Sequence, residues 1–209
     1  MRRAPATALL IDLGVLRRYD PAVAATVERR HSLDPGTIAA TAMRREHLVP
    51  AVLGRHTRAQ WRAAVAEALA GAVGGAGAAH AMLAEWDAHR GAVVPAARDL
   101  VAQVRRGGRR VALVANATDE LADDLARLGL ADAFDAVVNS ADLGVATPAP
   151  DFFAAACAAL DVRARECLFV GDDARHVRGA RACGLAALRW SGTPADARYV
   201  QAALGLAAG

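Results

Sequence analysis

From Pro95 to the end of the chain, short apolar runs alternate with segments of helical periodicity, and few folds tolerate that pattern. The runs Arg110–Ala115, Phe134–Asn139, Glu166–Gly171 and Leu185–Arg189 read as buried strands. Between and around them, 96–106, 118–128, 151–160, 175–183 and 194–204 read as helices, three of them closed by glycine at Gly107, Gly129 and Gly184. Residues 140–150, with two prolines, read as a loop. Strands separated by helices of this length need crossovers, and crossovers imply a parallel sheet with helices on both faces. The expected class is therefore α/β.

One further strand lies near the beginning, where Ala8-Leu-Leu-Ile-Asp12 ends an apolar run in a carboxylate, followed by Gly14. Open α/β sheets bind their ligands outside the carboxyl ends of the strands. Three such ends carry polar groups: Asp12, Ala115–Asn116 and Asp172–Asp173. Asp12 and Asp172, from different strand tips, suit a hard cation such as magnesium, which takes few carboxylates plus water and phosphate oxygen. A carboxylate screened in this way can act as a covalent nucleophile.

Between the first strand and Pro95 the periodicity is helical. Helices are expected over 21–30, 37–52, 57–70 and 78–89, with the Gly/Ala-rich stretch 71–77 as a connection. This divides the chain into a core, residues 1–16 and 92–209, and a helical insert, residues 17–91. Trp61, Met82 and Trp86 read as its apolar core. His31, His47, His56, His80 and His89 have no metal-ligand spacing and read as structural or solvated.

Composition narrows the function classes. Of 209 residues 55% are hydrophobic, yet no run reaches the length of a membrane span and no signal-peptide pattern opens the chain. Cys157, Cys167 and Cys183 are scattered and read as core residues of a cytoplasmic protein. The net charge of +3 rests on arginine, since the sequence contains no lysine. The arginines are interleaved with acids and read as solvated helix faces, not a nucleic-acid stripe. Residues 105–110 form the one dense basic patch, read as a loop.

Five stretches, taken in order, resemble the haloacid dehalogenase (HAD) superfamily in its subgroup with a helical cap after the first strand. They are residues 9–16, 51–61, 111–118, 138–148 and 168–173. The resemblance implies a HAD-like Rossmannoid sheet and a cap over residues 17–91. It implies Asp12 as nucleophile and a magnesium ion held by Asp12, the Gly14 carbonyl, Asp172 and Asp173. The substrate positions would be Gly14, Ala115, Asn116 and Thr147.

Several of those positions depart from the family pattern. Gly14 stands where the family has a second acid. Ala115 replaces a Ser or Thr hydroxyl, leaving Asn116 as a donor. Thr147 stands before Pro148 where the family has Lys. His176, four residues after Asp172, occupies a position that is polar or acidic in the family; it could serve as the positive partner Asp12 needs, but reads first as a surface histidine at a helix start. Phosphoryl transfer depends on donors and cations aimed at developing charge, and losing one costs on the order of a hundredfold or more. The sequence thus points to a HAD-like protein with an impaired phosphoryl-transfer site, weakly active or non-catalytic, binding a small molecule or a partner. The alternative is an active magnesium-dependent phosphohydrolase using Asp12, and a third reading runs a different reaction in the same cleft. The expected partners are a small molecule and, in one arrangement, a second copy of the chain, with no nucleic acid and no membrane.

Overall fold

A computed structural model describes residues 4–206. Its centre is a five-stranded parallel sheet made of β1 (Ala8–Asp12), β4 (Arg110–Ala115), β5 (Ala136–Asn139), β6 (Cys167–Gly171) and β7 (Ala186–Arg189). The spatial order is β5-β4-β1-β6-β7, which puts β1 in the middle. Register fixes which residues meet at the carboxyl edge. Asp12 lies beside Val114 of β4, and Ile11 lies beside Val170 of β6, so Asp12, Ala115 and Gly171 end their strands together.

The strands are buried on both faces, which is why they read as continuous apolar runs. Side chains still alternate. Leu9 and Ile11 enter a cluster with Leu100, Val104, Leu121 and Val200, from helices α7 (Pro95–Arg106), α8 (Leu121–Arg127) and α12 (Pro194–Ala203). Ala8 and Leu10 enter the other, with Phe152, Phe153, Val177 and Ala180 from α10 (Pro150–Ala159) and α11 (Ala174–Ala182). Phe153 packs edge-on against Phe169 of β6 with ring centres 5.4 Å apart, a geometry aromatic quadrupoles favour.

A short helix α1 (Leu13–Leu16) follows β1 directly. Next come α2 (Pro21–Arg30), α3 (Thr37–Ala42), α4 (Arg45–Val52), α5 (Arg58–Leu69) and α6 (Ala76–Asp87). These five helices share their own cluster, in which Trp61 and Met82 are buried, with Trp86 packed at its edge. The joint with the sheet is a two-stranded antiparallel ribbon, β2 (Arg17–Arg18) against β3 (Ala92–Val93). The helical segment also leans directly on the sheet unit at Gly54. Its backbone is left-handed (φ +69°), and a Cβ there would lie 2.1 Å from the Ala141 carbonyl oxygen in α9 (Ser140–Leu143).

Three expectations change. The helix expected over 37–52 breaks at Met43–Arg44, where Arg44 leaves the helical region (ψ 141°), and the Trp61 indole N–H donates to the Ala42 carbonyl at the end of α3 (3.1 Å). The loop expected over 140–150 begins as α9, whose first turn is capped by the Asn139 side chain accepting from the Ala141 N–H (3.3 Å). The basic patch at 105–110 is integrated into the fold: Arg105 pairs with Asp135 and Arg109 donates to the Leu204 carbonyl. Cys157 and Cys167 are buried with sulfurs 3.5 Å apart, and all three cysteines are free thiols. Among the described residues no helix is long and apolar enough to cross a membrane.

Candidate active site

Asp12 stands at the carboxyl tip of the central strand because the apolar run ends there and α1 begins at once. Its Oδ1 accepts from the Gly14 N–H at 3.2 Å, which caps α1. Its Oδ2 lies 3.1 Å from Nδ1 of His176 on α11. Asp12 is buried, and the His176 side chain is only 17% exposed. This corrects the reading of His176 as a surface residue. Residues 164 apart in sequence meet because β1 and β6 are neighbours and α11 starts just beyond β6. Burial alone would lower the imidazole pKa, but the hydrogen bond and charge of Asp12, joined by the charge of Asp173, outweigh it and raise it.

The two acids after β6 have different surroundings. Asp173 caps α11 through the Arg175 N–H and forms an ion pair with the Arg175 guanidinium at 2.6 Å. That pairing holds its carboxyl well below the usual carboxylate range, against a smaller opposing effect of burial. The Asp172 carboxylate is exposed and lies over Gly14, where a Cβ would come within 2.6 Å of it. Gly14 is thus a close approach between α1 and Asp172, and the space for an acid at position 14 is already filled by a carboxylate. The Asp172 carbonyl accepts from Arg189 at the end of β7.

The remaining substrate candidates face one another. The Asn116 amide donates to Thr147 Oγ1 (2.8 Å) and accepts from the Thr147 N–H (2.9 Å). These bonds pin the 140–150 segment to the end of β4. They also commit the donor expected to replace the missing hydroxyl. Ala115 is buried, with its methyl in the sheet's apolar cluster.

Between the helical segment and the sheet opens a cleft of about 1720 Å³, lined among others by Arg17, Arg58, Trp61, Arg90, Asn116 and Thr118; it reaches the end of β4, but Asp12, Asp172 and His176 do not line it. Its arginines correct the reading of solvated faces. Arg58 is 9% exposed and binds Asp87 through Nε and Nη2, with Asp124 3.7 Å from Nη1. Arg17 pairs with Asp124 at 2.8 Å, and Arg90 with Glu120 at 2.7 Å and Asp124 at 3.1 Å. Arg58 and Asp87 belong to the helical segment and Glu120 and Asp124 to the sheet unit, so the network ties the two together. Sequence gave a hint for Arg58, which follows the helix cap Thr57 and precedes Trp61 by one turn, but none for its partners.

The fit of a magnesium ion depends on this donor set. Asp12 Oδ1 accepts from the Gly14 N–H, Oδ2 meets the His176 ring, and Asp173 pairs with Arg175, while the Asp172 carboxylate is exposed. Among the described residues no group of three or more His, Cys, Asp or Glu side chains is placed to hold a metal ion. Magnesium takes only one or two carboxylates together with water and phosphate oxygens, and the Asp12 and Asp172 carboxylates both meet Gly14, so these two would hold it and it would supply positive charge beside the nucleophile.

The order of strands, the position of Asp12 and the insert after β1 can be set beside known proteins. Residues 7–184 match the family described as haloacid dehalogenase-like hydrolase. Ribulose-1,5-bisphosphate 5-phosphatase of Halopiger xanaduensis is 36% identical over 106 residues, 49% of this chain and 44% of that protein. Phosphoserine phosphatase of Thermus thermophilus is 36% identical over 96 residues, 45% of this chain and 39% of that one. The chain thus spans less than half the length of these curated relatives. A solved HAD family enzyme from Bacteroides thetaiotaomicron, in a magnesium complex, superposes with a TM-score of 0.75 at 19% identity, covering 94% of this chain and 99% of that one, a likeness of fold. With the match running from β1 through α11, this chain belongs to the haloacid dehalogenase-like hydrolase family.

Proposed function

We propose that this chain is a phosphohydrolase of small phosphorylated molecules, with Asp12 as its nucleophile and residues 17–91 as a cap over the substrate. The observation that carries the reading is the Asp12 carboxylate at the tip of the central strand, hydrogen-bonded to His176. The phosphatase names of the relatives support the substrate class. With Oδ2 facing His176, Oδ1, which accepts a single long bond from the Gly14 N–H, keeps a lone pair with which to attack. Attack on phosphorus breaks the bond to the alcohol oxygen, and the alcohol leaves with a proton taken from water, which becomes hydroxide. A second water then attacks phosphorus and gives its proton to that hydroxide, releasing phosphate and restoring the carboxylate. His176 holds the Asp12 carboxylate in position through its Nδ1.

The missing lysine and hydroxyl set the expected rate low, since each lost donor costs on the order of a hundredfold or more. The committed Asn116–Thr147 pair favours a second reading, a protein that binds a small molecule in the cleft without turning it over. Hydrolysis of a panel of phosphate monoesters by the wild type and Asp12→Asn decides between them. Turnover abolished by Asp12→Asn is the expected result. No turnover of any ester, or equal turnover in the variant, overturns the phosphohydrolase reading.

A further inference from the structure

We propose that Cys157 and Cys167 form a redox-active dithiol, which a peroxide oxidises to a reversible disulfide inside the fold. Their sulfurs lie 3.5 Å apart in the apolar cluster on the α10 and α11 face of the sheet. Two matching repeats put them there. On α10, Cys157 follows Phe153 by four residues, and on β6, Cys167 precedes Phe169 by two, on the same face. Four residues of helix rise about 6 Å, and two residues of strand span about 6.6 Å. The Phe153–Phe169 ring contact therefore sets the register that brings Cys157 onto Cys167. Cys167 is held in β6 between β1 and β7, and Cys157 in the last turn of α10. A disulfide bond is about 2.05 Å long, so the sulfurs have about 1.5 Å to close.

The two thiols differ as the partners of a redox pair must. Cys157 reaches the surface with 6% exposure, while Cys167 is fully buried. Their shared hydrogen bond holds the Cys157 thiol below its usual range against the opposing effect of burial, and that bond together with burial pushes Cys167 up. Cys157 is therefore the sulfur that meets peroxide, as its thiolate. That sulfur takes one peroxide oxygen, the O–O bond breaks, and the departing hydroxide combines with the proton Cys157 gave up to make water. The Cys167 sulfur then attacks the sulfur of the Cys157 sulfenic acid, the S–O bond breaks, and the leaving hydroxide takes the Cys167 proton as a second water. Two electrons pass from the sulfurs to the peroxide. Cys183, half-buried at the end of α11 beside the same cluster, is a third thiol outside the pair. Cys167 lies four residues, about 13 Å, along β6 from the Gly171 end where Asp12 stands, so oxidation ties α10 to β6 and leaves the Asp12 site as it is.

Peptide mapping of the native protein after brief exposure to hydrogen peroxide, with the remaining thiols alkylated before digestion, tests this. Arg163 and Arg165 lie between the two cysteines, so trypsin puts them in separate peptides unless a bond joins them. The expected result is a Cys157–Cys167 linked peptide pair in most of the chains, lighter by two hydrogen atoms than the two peptides together and separated again by dithiothreitol. The same link is expected in Cys183→Ser and is expected to be lost in Cys157→Ser. If Cys157→Ser does not fold, the wild-type map decides alone. Cys157 still a thiol while Cys183 is oxidised would overturn the inference. So would Cys157 carried to sulfinic acid with no link, or a link that forms only in urea. No phosphate ester enters the assay, so its result stands whether or not the chain turns one over.

Discussion

Replacing Arg58 with alanine removes the hub of the ion-pair network between the helical segment and the sheet. Its guanidinium binds Asp87, whose side chain is 2% exposed, and approaches Glu120 and Asp124 at 3.6 and 3.7 Å while lying 5.8 Å from the centre of the Trp61 ring. Breaking a buried pair from one side costs roughly 3–5 kcal/mol, because the other charge stays buried without its partner. Here Asp87 keeps Arg62 at 3.0 Å and Arg90 at 3.8 Å, so the lower end applies, about 3 kcal/mol. For a chain of this size that lowers Tm by about 6–12 °C. Urea unfolding of the wild type, Arg58→Ala, Asp87→Ala and the double variant measures it as a cycle. The double variant should cost at least about 1 kcal/mol less than the two single costs added together, because neither partner is then stranded. An Arg58→Ala cost below about 1 kcal/mol, the worth of an exposed pair, would refute the reasoning.

Two further outcomes follow from the same contacts. Burial alone would raise the Asp87 pKa, but Arg58, Arg90 and Arg62 hold it below the usual value, so its stabilising effect is present above about pH 4 and fades as pH falls through the lower folded value. Thermal melts against pH should show wild-type Tm dropping in that acid window and a flatter curve for Asp87→Asn. Gly54→Ala forces a Cβ against the Ala141 carbonyl and a left-handed backbone on alanine. The backbone conformation alone costs about 1–2 kcal/mol, and Tm should fall by several degrees; an unchanged Tm would mean that this approach is looser than described.

The sheet was legible because burial on both faces writes each strand as an apolar run, and Asp12 was legible as the polar residue that ends one. What the sequence hid were contacts between distant segments. The break between α3 and α4 has no local mark, and the Ala42 carbonyl there is taken by an indole nineteen residues later. The ribbon of Arg17–Arg18 and Ala92–Val93 is too short to show a period. His176 carried a signal, its place one helical turn after Asp172, but its meaning depends on β1 lying beside β6. The cleft arginines read as surface because composition does not tell a solvated arginine from one buried against Asp87. Asn116 and Thr147 were named as substrate contacts, and the structure shows them bonded to each other.

A phosphohydrolase that uses Asp12 as nucleophile must form a bond from Asp12 to phosphorus. Mass spectrometry of the peptide containing Asp12, from protein quenched in acid during turnover of a phosphate ester, tests it directly. The account predicts a phosphoryl group on Asp12 that is absent before substrate is added and absent from Asp12→Asn. Steady release of phosphate with Asp12 never modified would contradict it.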